Sequence, residues 1–104
     1  MKTVRVMYTT KPEFAARNKL NINAVMLALR AINPPCIEYS VTINDDKKSF
    51  VHTCHFKDEQ AEKLFFALKE FQNFQTQLKE GGLESPPVSQ TVELVGCSRD
   101  IFLA

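Results

Sequence analysis

His52, Cys54 and His55 form the densest group of soft and basic side chains in the chain. Imidazole and thiolate are zinc ligands, and imidazole is also the side chain that most readily moves a proton near neutrality. Successive residues on an extended chain point to opposite faces. His52 and Cys54 therefore share one face and His55 takes the other. Without a bulge the three cannot close on one ion, and zinc wants three or four ligands. No metal site is expected, and the plain reading is a core His52 beside a small buried Cys54. A second constellation has more promise. Tyr8, Asn18, Asn21 and Tyr39 fall on the faces predicted to meet between sheet and first helix, together with His52. Polar tips in an apolar pocket are what orients a small molecule. His52 would serve there as acid or base, with Tyr8, Tyr39, Asn18 and Asn21 orienting the ligand. The competing reading takes the tyrosine hydroxyls to the rim and has the asparagines bond to each other or to water. Arg5, Glu38, His55 and Glu93 are the charged or titratable groups of the opposite face. That face would be open to water or meet another sheet in a partly polar interface, where these groups line a polar site or pair to fix the register, with Arg5 expected opposite Glu93.

Positioning these groups falls to a regular series of elements. The clearest is Asp58 to Leu78. There Ala61, Leu64, Phe65, Leu68, Phe71 and Leu78 recur at three- and four-residue steps and predict one amphipathic helix. Asp58 is placed to cap it, and Gly81-Gly82 to end it. Phe66 and Phe74 lie off the centre of the stripe, as extra core or, for Phe66, as a contact with a second subunit. Before it, Val4 to Tyr8 alternates as a strand. Thr10-Lys11-Pro12-Glu13 predicts a capping box and a helix to about Ile32, with Phe14, Val25, Ala28, Leu29 and Ile32 inward and Asn18 and Asn21 on the same face. Asn33-Pro34-Pro35 stops that helix. Ile37 to Ile43 and Phe50 to Phe56 alternate around a polar Asn44–Lys48 turn, as an antiparallel hairpin. Leu83 to Gln90 reads as a loop and Thr91 to Val95 as the last strand, followed by an oddly apolar tail, Arg99 to Ala104.

The order strand, helix, strand, strand, helix, strand predicts one ferredoxin-like α+β domain over residues 1–104: a four-stranded antiparallel sheet, first strand between third and fourth, with two helices on one face. The helix-covered face would carry Val4, Val6, Tyr8, the odd residues of Ile37–Ile43, Phe50, His52, Cys54, Phe56, Val92 and Leu94. The mixed face would carry Arg5, Met7, Glu38, Ser40, Thr42, Val51, Thr53, His55, Thr91, Glu93 and Val95.

Composition narrows the function classes. The chain has 104 residues, is 44% apolar and 24% charged, and has a net charge of +1. That is an ordinary globule with no general pull toward nucleic acid or an acidic membrane. No apolar run is long enough to span a bilayer. Three separated cysteines and no apolar leader before the first strand point to reduced thiols and a cytoplasmic location. Within this fold, an RNA-recognition domain would need a Gly- and aromatic-bearing third strand, whereas Lys48-Ser49-Phe50-Val51-His52 has no glycine. A heavy-metal carrier would need a Cys-x-x-Cys pair, and no such pair occurs. The only Gly pair follows a helix rather than opening one, so it is no phosphate cradle.

The element order, the length, the second-helix sequence HFKDEQAEKLFFALKEFQNF and the ending ELVGCSRDIF resemble the dimeric α/β-barrel superfamily, which includes antibiotic-biosynthesis-monooxygenase-like proteins. The resemblance implies that two sheets pack face to face into a shared barrel with the helices outside. It also implies a ligand pocket between each sheet and its helices. Haem-degrading relatives use an Asn, Trp and His set. This chain has no tryptophan, so that set is not carried over and no cofactor is expected. Cofactor-independent oxygenation or isomerisation would not require it. The expectation is a homodimer that binds a small apolar or aromatic ligand, with no nucleic-acid or membrane partner. The alternative is a non-catalytic binding or assembly module with no active site.

Overall fold

The computed structural model describes residues 1–102. Its elements are β1 (Lys2–Thr9), α1 (Ala15–Ile32), β2 (Ile37–Ile43), β3 (Ser49–Phe56), α2 (Glu59–Phe66), α3 (Lys69–Gln77) and β4 (Val88–Val92). The strands form one antiparallel sheet in the order β2-β3-β1-β4. This is the ferredoxin-like α+β fold, with the first strand between third and fourth. The helices cover one face. The core there is largely aromatic and aliphatic, built on Val25, Phe50, Phe56, Phe65, Phe71 and Phe74.

Each predicted helix needs a correction. The long second helix is two. Leu68 is extended (φ −64°, ψ 126°) and splits α2 from α3. No proline or glycine marks this break. It turns the Leu68 side chain into the core and brings the Phe65 and Phe71 rings to 4.3 Å between centroids. Asp58 does cap α2, its Oδ1 accepting from the Ala61 N–H at 2.9 Å. Phe74 is core, while Phe66 is half exposed. The capping box before α1 does not form. Pro12–Phe14 make a short 3-10 turn with no side-chain cap. The buried Thr10 hydroxyl instead donates to the Lys48 carbonyl at 3.3 Å, tying the end of β1 to the hairpin. Ile22 rather than Ile32 fills the inward position of α1, and Ile32 is exposed. Asn33 ends α1 in the left-handed region (φ 49°), its N–H bonded to the Leu29 carbonyl, a conformation asparagine tolerates better than most residues. After α3 the chain passes Gly82, where a Cβ would lie 2.6 Å from the Phe14 ring.

β4 is out of phase with the expected last strand. It begins at Val88, inside the predicted loop, and ends at Val92. Thr91 pairs with Val4 and Ser89 with Val6, so these two polar residues face the helices, while Val88, Gln90 and Val92 share the outer face with Met7, Arg5 and Thr3. Glu93 lies beyond the strand, and Arg5 stands opposite Gln90 instead. Beyond β4 the chain reaches the far edge of the sheet, where an Arg99 Nη2 lies 3.1 Å from Glu38 Oε1 on β2. Ile101 and Phe102 are half-buried. Leu103 and Ala104, the end of that tail, lie outside the described residues.

Candidate functional site

The register explains how three of the expected residues meet. His52 on β3 stands between Val6 on β1 and Val41 on β2. Tyr8 lies two residues beyond Val6, and Tyr39 two residues before Val41. Each is therefore a diagonal neighbour of His52 on the same face, at the roughly 7–8 Å that a long aromatic side chain can bridge. Tyr8 Oη lies 2.7 Å from His52 Nε2, and Tyr39 Oη lies 2.6 Å from His52 Nδ1. Asn18, one turn into α1, donates from Nδ2 to Tyr8 Oη at 2.8 Å. A continuous polar run Asn18–Tyr8–His52–Tyr39 thus crosses from helix to sheet through the core. Its first three members are almost dry, at 0%, 5% and 6% exposure. The asparagines do not bond to each other. Asn21 stands apart, donating to Gln77 Oε1 on α3 at 3.0 Å, and it takes no part in the run.

Burial sets the protonation of these groups. It disfavours the charged form of each. It holds the His52 imidazole down at about 4. It pushes both tyrosines well above their ordinary value, with the Asn18 bond partly offsetting this for Tyr8 and the nearness of Tyr8 and Cys54 adding to it for Tyr39. The Cys54 thiol is pushed up to about 12 by burial and then by Glu62. At neutral pH the whole assembly is uncharged. The expectation that His52 titrates near neutrality is therefore corrected. Both of its ring nitrogens are bonded to tyrosine hydroxyls. Exchange of a proton with a guest would have to pass through a hydroxyl.

Beside this run lies a cavity of about 480 Å³ between the β1–β4 half of the sheet and the α2–α3 segment. Val4, Val6 and the Phe65, Phe71 and Phe74 rings make it largely apolar. Tyr8, His52 and Tyr39 form a polar patch in its wall, Ser89 and Thr91 line the β4 side, and Lys2, Glu62 and Lys79 add charge. Asn18 and Asn21 do not reach it. The β4 side chains were missed by the sequence reading because Val92 and Leu94 appeared the better core candidates. The size is within the range of small-molecule sites.

The soft-ligand cluster disperses as alternation requires. His52 and Cys54 face the helices, whereas His55 faces outward with its Nδ1 2.8 Å from Thr3 Oγ1. Among the described residues, no group of three His, Cys, Asp or Glu side chains is placed to hold a metal. Nor is any helix among them long and apolar enough to cross a membrane.

No family model matches the chain, and no curated protein matches it in sequence. Solved structures share its fold. An antibiotic biosynthesis monooxygenase superposes with a TM-score of 0.77 at 16% identity, over 92% of this chain and 100% of that one. Rv0793 from Mycobacterium tuberculosis gives 0.76 at 15% identity, over 94% and 98%. A variant of SnoaB, a cofactor-independent oxygenase from Streptomyces nogalater, gives 0.69 at 15% identity, over 95% and 97%. The chain therefore has the ferredoxin-like fold of antibiotic-biosynthesis-monooxygenase-like proteins. At these identities the likeness is one of fold.

Proposed function

We propose that the protein binds a small, neutral, largely aromatic molecule in the cavity between its sheet and the α2–α3 segment, and that it works as a homodimer paired through the outer sheet face. The observation that carries this reading is a largely apolar cavity of about 480 Å³ whose wall holds the uncharged Tyr8–His52–Tyr39 cluster. Aromatic rings supply the affinity by burial and edge contacts, and the hydroxyls fix the orientation. A monooxygenase-like or isomerase-like step needing no cofactor fits such a site. The protein would orient the guest, and in an oxygenation dioxygen would be the oxidant, one oxygen atom entering the guest at a CH2 as a carbonyl and the other leaving with its two protons as water. The alternative, a binding module without chemistry, is favoured by one specific feature: both imidazole nitrogens are committed and the ring is a weak base.

Calorimetric titration with 1-naphthol, a planar aromatic with one polar edge, tests the binding reading. One molecule per chain, with affinity lost on filling the cavity by Ser89→Trp, is the expected result. No heat at millimolar probe, or binding untouched by Ser89→Trp, would refute it. Light scattering on a size-exclusion column tests the pairing, with a mass near twice 11.8 kDa expected.

A further inference from the structure

Counting protons along the polar run fixes more than its connectivity. Asn18 Nδ2 donates to Tyr8 Oη, so the Tyr8 proton is free to go to His52 Nε2. A neutral imidazole carries one proton, which must then sit on Nδ1 and be donated to Tyr39 Oη. That leaves one hydroxyl proton unspent, on Tyr39, the half-buried member of the run and part of the cavity wall. The reverse assignment has Tyr39 donating to Nδ1 and Nε2–H donating to Tyr8. It leaves the spare proton on Tyr8, which is 5% exposed. Pairing that proton within the run requires turning the Asn18 amide, so that Oδ1 accepts from Tyr8. The present arrangement keeps the Asn18 Nδ2 bond to Tyr8 Oη and leaves Oδ1 without a partner. With that bond in place, the reversed run would strand the Tyr8 O–H, which is more deeply buried than the Tyr39 O–H, and an unmet buried donor is costly.

We propose that Asn18, which does not touch the cavity, is a positioning residue that sets the direction of the run, so that Tyr39 offers a hydroxyl proton to the guest and selects an aromatic compound carrying a hydrogen-bond-accepting carbonyl. This rests on the ligand reading above and deepens it, by naming the polar group that the cavity takes and the residue outside it that imposes the choice. Tyr8 and His52 transmit the direction, and neither needs to change charge to do so.

The test pairs 9-fluorenone with fluorene, which share a skeleton and differ in the carbonyl, and reads the His52 tautomer by ¹⁵N NMR of the intact protein. In the wild type the His52 proton is expected on Nδ1, and fluorenone is expected to bind about tenfold more tightly than fluorene. Asn18→Asp presents an acceptor-only carboxylate to Tyr8. It should move the His52 proton to Nε2 and erase the preference while fluorene binding stays as it was. Tyr39→Phe should erase the preference without moving the tautomer to Nε2. A wild-type proton on Nε2 overturns the proposal without any variant, which matters if Asn18→Asp fails to fold. Equal binding of ketone and hydrocarbon overturns it and leaves the cavity reading standing. If neither compound binds, the cavity reading falls and the guest selection falls with it, while the tautomer still decides the role of Asn18.

Discussion

His52 and His55 lie three residues apart on β3 and face opposite sides of the sheet. One is locked between two tyrosine hydroxyls in the core. The other meets the Thr3 hydroxyl on the outer face, in the row that also holds Glu38, Thr3 and Val92. The contrast extends to the faces themselves. The helix side joins aromatic rings to a neutral polar run and leaves a cavity at the β4 edge. The outer side mixes Arg5, Met7, Thr53 and Val88, and its exposed Arg5 makes no ion pair among the described residues. Identical side chains thus acquire different chemistry from a two-residue period alone. The helix side is the one proposed to take a small guest. The outer side is the one proposed to pair with a second copy.

The largest expected difference between the faces is in stability. Phe71→Ala removes a ring buried against Phe65 and Phe74 and should cost about 3–5 kcal/mol in urea melts, while Thr53→Ala on the outer face should stay within about 0.5 kcal/mol. Equal losses would erase the distinction.

Next is a dependence on pH. The His52 value in the folded protein, about 4, lies below its ordinary 6.5, so the unfolded chain binds the extra proton in between. Its contribution is complete above about pH 6.5 and is lost as pH falls toward 4, by about 3 kcal/mol in all. Urea melts across that window should show the decline, and His52→Gln should flatten it.

Tyr39→Phe leaves the His52 Nδ1 proton unpaired and should destabilise by about 1–2 kcal/mol in the same melts. Arg5→Glu, on the face proposed to pair, should raise the dimer dissociation constant by about tenfold in sedimentation and leave probe binding unchanged. An unaltered constant would remove Arg5 from the interface.

Much of this architecture is written in periodicity. Alternation in β1, β2 and β3 places Tyr8, Tyr39 and His52 on one face. The β-α-β-β-α-β order then places their strands side by side, so the meeting of these three was legible. Asn18 was legible as a polar residue on a buried helical face. Asn21 looked equivalent, but it lies toward α3, and its Gln77 partner is set by a helix–helix approach that no local pattern records. The break at Leu68 has no proline or glycine to announce it, because packing of Phe65 on Phe71 decides it. The phase of β4 was misread for a related reason. An edge strand beside an open cavity gains little by turning its valines inward, so Ser89 and Thr91 face the helices.

The central claim is that the cavity beside His52 receives a guest, and histidine-ring NMR tests it most directly, since the chain has two histidines, one on each face. On titration with 1-naphthol at neutral pH, the His52 ring signals should move while those of His55 stay fixed. Movement of His55 alone, or of neither ring at saturating probe, would contradict the account.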